Sequence, residues 1–379
     1  MNRRSFVLAT AAGFLGAPPA LSQTADPVAP WPMSKRNVSR NSRSPAIGPG
    51  APRELWRYGN TTLQTPFAAG ADGTIYAAEA ARIAAFSPDG QLLWYKDLPQ
   101  WISLAGCALG GDGTLLVVSE RGFLIAYSPG GQRRWIYAYG SPASVHAEPL
   151  IAPDGAIYTG SSRSFVSLQP NGSVNWTYPA GVTGGAAQAS DGTLYFPSGQ
   201  YLYALGSDGS LRWRVAIPDP YGAGGAPAVA ADGTIYVTTV LGSLAAVNAS
   251  GSLRWFFNRS HVVADLPSPP ALGAGGAIYY GATDNCVYAV NPDGSQRWSF
   301  RPDSRDGFLY APLTVGGDGT IYVGANVPDF YALYPDGSLR WHIQLPSDPN
   351  LGTYVRSQPV LAGSGRLLVG SMLALQAFG

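Results

Sequence analysis

Asp318-Gly319-Thr320-Ile321-Tyr322-Val323-Gly324 is followed, after a short gap, by Ala332-Leu333-Tyr334-Pro335-Asp336-Gly337-Ser338-Leu339-Arg340-Trp341. Apolar residues alternate on either side of two Asp-Gly pairs, as in strands joined by tight turns. The unit reads as four strands: Ala311–Val315, Thr320–Gly324, Phe330–Tyr334 and Leu339–Ile343. The spacing recurs along the whole chain. Asp-Gly-Thr stands at Asp72, Asp112, Asp191, Asp232 and Asp318, with variants at Asp154, Gly275 and Ser364. Tryptophan recurs at Trp56, Trp94, Trp135, Trp176, Trp213, Trp255, Trp298 and Trp341, at spacings of 38, 41, 41, 37, 42, 43 and 43. A period near 40 with glycine turns and alternating strands predicts a β-propeller of eight four-stranded antiparallel blades. The last unit runs out of sequence after three strands, so Glu54-Leu55-Trp56-Arg57-Tyr58 is expected to supply its fourth and close the ring.

The tryptophans are read as structural. Alternation places each on the packed face of a fourth strand, where burial of ~150–250 Å² contributes ~4–6 kcal/mol as an upper bound. Loss of Trp213 is expected to cost ~3–5 kcal/mol through a cavity. Tyr76, Tyr158, Tyr195, Tyr236, Tyr279 and Tyr322 receive the same blade-core reading, and the Asp-Gly aspartates are turn formers rather than calcium ligands.

Composition excludes several classes. The chain has 379 residues, a formal net charge of +1 and only 12% charged residues, which argues against nucleic-acid binding. Two cysteines build neither a disulfide scaffold nor a cysteine zinc site. Cys107 and Cys286 fall in blades that face each other across the ring, so they are expected to be unpaired core residues. No run is apolar enough for a membrane span. Residues 1–22, with Arg3-Arg4, an apolar stretch and Ala20-Leu21-Ser22, read as a twin-arginine-like signal peptide cleaved near Ser22. This predicts a periplasmic or secreted protein. Residues 23–50 are read as a lead-in clamp strapped to the outside of the ring, its Lys35, Arg36, Arg40 and Arg43 offering an alternative role as a basic partner-binding arm. Residues 51–379 form the propeller.

Two pieces, Ala289-Val290-Asn291-Pro292-Asp293-Gly294-Ser295-Gln296-Arg297-Trp298 and Ala332 to Trp341, resemble the tryptophan-docking repeat of the PQQ-like, quinoprotein-type propeller family. Trp31-Pro32-Met33 with Ser44-Pro45 resembles the family's lead-in. The resemblance implies the eight-bladed fold over roughly residues 30–379. The family includes PQQ-dependent dehydrogenases and non-catalytic scaffolds, such as the propeller of the outer-membrane protein assembly machinery. The enzymes are longer and typically carry adjacent cysteines against the quinone, which this chain lacks. The expectation is therefore a non-catalytic binding module without a cofactor. PQQ with calcium, or a propeller-type polysaccharide lyase or hydrolase, is the enzymatic alternative.

Length variation locates the variable face. From Asp-Gly slot to Trp the distance is 22 or 23 residues, whereas from Trp to the next slot it runs from 15 to 23. The second interval holds the loops that ring one mouth of the channel, where function is expected. The charged loops follow Trp255, Trp298 and Trp341. The candidate pocket comprises Arg259, His261, Asp265, Arg301, Arg305, Asp306, Tyr310, Tyr354, Arg356 and Gln358, with His146 and Glu148 across the channel. His342 is expected to point outward from an outer strand. No metal site is assigned. The expected partner is a cell-envelope protein, a small polar ligand or a glycan, bound by a monomer.

Overall fold

The computed structural model describes residues 31–379 apart from 60–66, 80–81, 99–101, 120–121, 141–146, 260–267, 283, 303–310, 326–327, 348–354, 356, 363 and 372. It contains eight four-stranded antiparallel sheets. The first blade runs Ala68–Ala69, Ile75–Glu79, Arg82–Phe86 and Leu92–Asp97 from the channel outward. The last is built from Val360–Leu361, Leu367–Gly370 and Ala374–Phe378, and its outer strand is Glu54–Gly59. The ring is therefore an eight-bladed propeller closed by its own N-terminal strand, which pairs Arg57 with Gln376 and Tyr58 with Leu375.

Each Asp-Gly turn uses its two residues differently. The aspartate keeps a negative φ, and in most of these turns its carboxylate accepts the N–H two residues on, as Asp318 does from Thr320 at 3.1 Å, while at Asp89 that N–H goes to Ser87 Oγ. Only the glycine takes positive φ. The core lies between blades: each hydrophobic cluster mixes side chains of neighbouring sheets, such as Tyr236 and Ile278 of the fifth and sixth.

Each of the eight docking tryptophans bridges blades. Its indole N–H donates to a main-chain carbonyl in the next blade, from Trp56 to Pro88 at 3.0 Å around to Trp298 to Pro335 at 2.9 Å. Its ring covers the turn glycine of that blade: a Cβ on Gly251 would sit 2.7 Å from Trp213, and Gly251 also has φ +89°. Trp341 faces the blade that the chain ends interrupt, and there Pro49 of the lead-in supplies the acceptor at 3.1 Å. The tryptophans are half-buried at the rim rather than sealed in the core. Their partners in the core are the second-strand tyrosines, such as Tyr195 at 5.6 Å from Trp213.

A second regularity was not anticipated. The arginine before Trp returns to the Asp-Gly-Thr turn of its own blade, as Arg212 to Asp191 at 2.8 Å and Arg340 to Asp318 at 2.6 Å. The two groups alternate along the fourth strand and first turn, which brings them to the same edge of the blade.

The lead-in runs inside the ring, not outside it. Trp31 exchanges backbone hydrogen bonds with Ala69 of the first blade, and Pro32 accepts from Leu109 of the second. Val38, Ser39, Asn41 and Ser42 then accept from Gln188, Val229, Leu272 and Val315, the innermost strands of blades four to seven. Arg40 reaches the carbonyls of Glu148 and Pro149 in the third blade, and the Lys35 N–H reaches Gln358 in the eighth. The segment therefore touches every blade, and satisfies inner-strand N–H groups that a closed channel would leave without water. Its curvature needs left-handed backbone at Lys35, Arg36, Arg40 and Ser42, with φ of 58°, 73°, 55° and 55°. That conformation costs ~1–2 kcal/mol per residue, and the hydrogen bonds of the segment hold it.

Candidate functional site

Two groups of the sequence-derived candidates are described by the structure, and they lie in different places. Glu148 and Gln358 belong to the channel. Glu148 precedes the inner strand of the third blade and accepts from Ser34 Oγ at 2.9 Å, Lys35 Nζ at 2.6 Å and Arg40 Nη1 at 2.8 Å. Lys35 and Arg40 are 1% and 0% exposed. Arg40 also donates Nε to the Ala186 carbonyl at 2.8 Å. Burial lowers the Lys35 pKa to about 8, only partly offset by the attraction of Glu148. Burial alone would raise the Glu148 carboxyl, but Lys35 and Arg40 outweigh it and hold the group below its usual value. Gln358 is equally enclosed: Oε1 accepts from the Lys35 N–H at 2.7 Å, while Nε2 donates to Ser42 Oγ and the Leu313 carbonyl, both at 3.1 Å. Both residues hold the lead-in in place, and the reading of Lys35 and Arg40 as part of an exposed basic arm is corrected.

Arg259 and Arg301 come together at the mouth, around the sixth blade. Arg259 lies over the rings of Phe257 and Tyr288, 5.1 and 4.9 Å from their centroids, and hydrogen-bonds Gln296. Its N–H donates to Ser243 Oγ at 2.9 Å. Arg301 Nη2 donates to the Asp284 carbonyl at 3.1 Å. Between them the Tyr288 hydroxyl donates to Asp284 Oδ2 at 2.5 Å, and burial together with Asp284 raises its pKa. Asp284 and Tyr288 escaped the sequence reading because it searched only the loops after each Trp. The hairpins between second and third strands open at the same mouth, as the bond from Val182 N–H to the Ser161 carbonyl shows. Asp284-Asn285, with Asn285 at φ 65°, was the available signal.

His146, His261, Asp265, Arg305, Asp306, Tyr310, Tyr354 and Arg356 lie outside the described residues, as does the signal peptide. His342 is exposed on its outer strand, stacks on Tyr331 at 4.6 Å and places Nε2 2.8 Å from Asp329 Oδ1. Cys107 is buried and Cys286 half-buried, and the two form no disulfide with each other. Among the described residues no group of three His, Cys, Asp or Glu is close enough to hold a metal ion, and no helix is long and apolar enough to cross a membrane.

Tryptophan-docked blades in an eightfold ring define a quinoprotein-type propeller. Within that class the chain belongs to the family described as outer membrane protein assembly factor BamB, whose model matches residues 46–190, 79–224 and 198–372. The solved structures it is similar to include BamB from Moraxella catarrhalis, at 18% identity and a TM-score of 0.71, covering 86% of this chain and 99% of that one. They also include a quinohemoprotein alcohol dehydrogenase from Comamonas testosteroni, at 11% identity and a TM-score of 0.75, covering 92% and 80%. A europium-containing methanol dehydrogenase is similar at 13% identity and a TM-score of 0.71, covering 90% and 89%. At these identities the likeness shows the fold alone. No curated protein sequence matches.

The dehydrogenase structures raise the question of a quinone with its calcium ion. The described donor set does not fit that pair. Among the described residues, the carboxylate that meets the lead-in in the channel, Glu148, is already neutralised by two buried cations, which disfavours a divalent metal beside it. The two cysteines sit in opposite blades.

Proposed function

We propose that this protein is an exported periplasmic propeller acting as a non-catalytic scaffold, which binds a cell-envelope protein through the loops at the mouth of its channel. The observation that carries this reading is membership, over most of the chain, of a family described by its role in outer membrane protein assembly. The disposition of charge supports it. Glu148, Lys35 and Arg40 satisfy one another inside the channel, whereas Arg259 and Arg301 stand at the mouth beside Tyr288. Arginine held in a fixed orientation at a rim, as Arg259 is over the buried Tyr288 ring, is a residue type that anchors protein interfaces.

The test is affinity purification of the tagged mature chain from the native periplasm, with mass spectrometry of what elutes. A stoichiometric protein partner is expected, reduced at least tenfold in an Arg259→Glu/Arg301→Glu double variant, since reversing two rim anchors costs more than ~1.4 kcal/mol. Elution with a bound quinone, or the same partner yield from the double variant, overturns the reading.

A further inference from the structure

The eighth blade differs from the other seven at one buried position. In nearly every blade an alanine of the third strand lies opposite the docking tryptophan, as Ala377 lies opposite Trp56 and Ala246 opposite Trp255. The residue before it faces the neighbouring blade. It is Ala84, Ile125, Val166 or Tyr203 in the first four blades, and Ala or Tyr in the next three. In the eighth it is Gln376, only 1% exposed. Its Nε2 donates to Glu54 Oε2 at 2.6 Å, and the same oxygen receives Arg57 Nη2 at 2.6 Å. Its Oε1 is buried without a hydrogen-bond partner among the described residues. An orphaned buried amide oxygen costs ~1–3 kcal/mol, so a packed apolar seam would not carry one.

Gln376 lies against a cleft. A cavity of about 510 Å³ opens between the outer strands of the seventh and eighth blades, walled by Glu54, Arg57 and Gln376 on one side and the segment 343–347 on the other, with Phe378 at its base. The volume suits a small ligand of one or two rings. The single carboxylate and single guanidinium cancel, so the cleft favours neither an anion nor a cation. What it offers is a row of donors and acceptors from Arg57 and Glu54, with the buried Gln376 amide behind them, beside the half-buried Ile343 and the edges of the buried Phe378 and Leu345. Hydroxyl groups both donate and accept, and sugars carry them in rows above apolar ring faces.

We propose that this seam is a binding site for a neutral saccharide, with a hydroxyl of the sugar donating to Gln376 Oε1 after a small rotation of the amide toward the cleft. The site is separate from the mouth loops and does not depend on the scaffold reading. Its position explains why an amide occurs only here: this blade alone takes its outer strand from the N-terminus, and Glu54 and Arg57 come with that strand.

The experiment is saturation-transfer difference NMR on the full mature chain with glucose, N-acetylglucosamine and maltose as probes. Transfer to at least one sugar is expected for the wild type. Gln376→Val, which installs the residue that Val166 provides in the third blade, is expected to weaken that binding about tenfold, the value of one lost hydrogen bond to a ligand, while the melting midpoint is held or raised. Should that variant not fold, Ser347→Trp, at the exposed edge of the cleft, is read with the same expectation. No transfer to any of the three sugars, or undiminished transfer in the variant that folds, overturns the proposal. Arg259→Glu/Arg301→Glu should leave the sugar signal unchanged, so failure here and failure of the scaffold reading are seen separately.

Discussion

At the scale of the residue, the docking tryptophans divide their work between packing and one hydrogen bond. Trp213 donates to the Ala249 carbonyl at 2.8 Å and covers Gly251. Because its outer edge is exposed, truncation opens a notch that water fills rather than a closed cavity. Trp213→Ala is therefore expected to cost about 2–3 kcal/mol, below the figure that full burial implied, and to lower the melting midpoint by a few degrees. An unmoved midpoint would remove the docking role. The arginine pairs grade with exposure. Arg340–Asp318 side chains are 17% and 25% exposed, against 45% and 61% for Arg212–Asp191. Arg340→Ala is expected to cost roughly 1 kcal/mol and Arg212→Ala under about 0.5, because solvent screens the exposed pair. Equal urea midpoints for the two variants would contradict that ordering. The tryptophans, tyrosines and turn aspartates were legible in the sequence because each repeats. The arginine pairing was equally periodic and was missed because its two members lie about twenty residues apart and meet only when the blade folds.

At the scale of the element, the lead-in segment is held by charge as much as by its backbone. Glu148 joins residues more than a hundred positions away, Lys35 and Arg40. Glu148→Gln would leave two buried cations without a counter-charge and is expected to cost about 3–5 kcal/mol, whereas Lys35→Met, which removes the excess cation, should cost much less. Denaturant melts of the two variants check the difference. The pH dependence has a definite sign. Lys35 gives up its proton near pH 8 when folded and 10.5 when unfolded, so the unfolded chain binds more protons between these values. Stability should therefore rise with pH from about 8 toward 10.5, until the tyrosines with raised pKa oppose it. Glu148 acts at the other end: its pKa is lowered on folding, so its contribution is present above the ordinary value of 4.5 and is lost as pH falls below it. Urea midpoints measured across the alkaline window in wild type and Lys35→Met test the first part, and the rise should vanish in the variant.

At the scale of the whole molecule, closure depends on both chain ends. The strand Glu54–Gly59 completes the last blade, Pro49 receives the last tryptophan, and residues 31–46 line the inner strands of the ring. Removing residues up to 50 would expose inner-strand N–H groups in most of the blades and leave Trp341 without its acceptor. Such a chain is expected to lose its single cooperative melt and to elute as aggregate in size-exclusion chromatography, because open strand edges template association. A monomeric, cooperatively melting product would show that the lead-in is dispensable.

The sequence by itself determined the blade number, the turns, the docking tryptophans and the closing strand, because the first three are patterns repeated at a fixed period and the last is the one repeat strand left over when the final unit is counted. Only the tertiary structure decided where the lead-in runs and which polar residues are spent on it. Residues 31–46 have no period to read, and their partners are single groups scattered over every blade, main-chain in most and the Gln358 side chain in the eighth. Glu148 and Gln358 looked like ligand contacts for the same reason that they hold the lead-in: they are polar residues aimed into the channel, and the sequence does not say that the channel is filled by the chain itself. The polar seam at Gln376 arises only when the two ends of the chain meet in one blade, a contact between residues 322 positions apart.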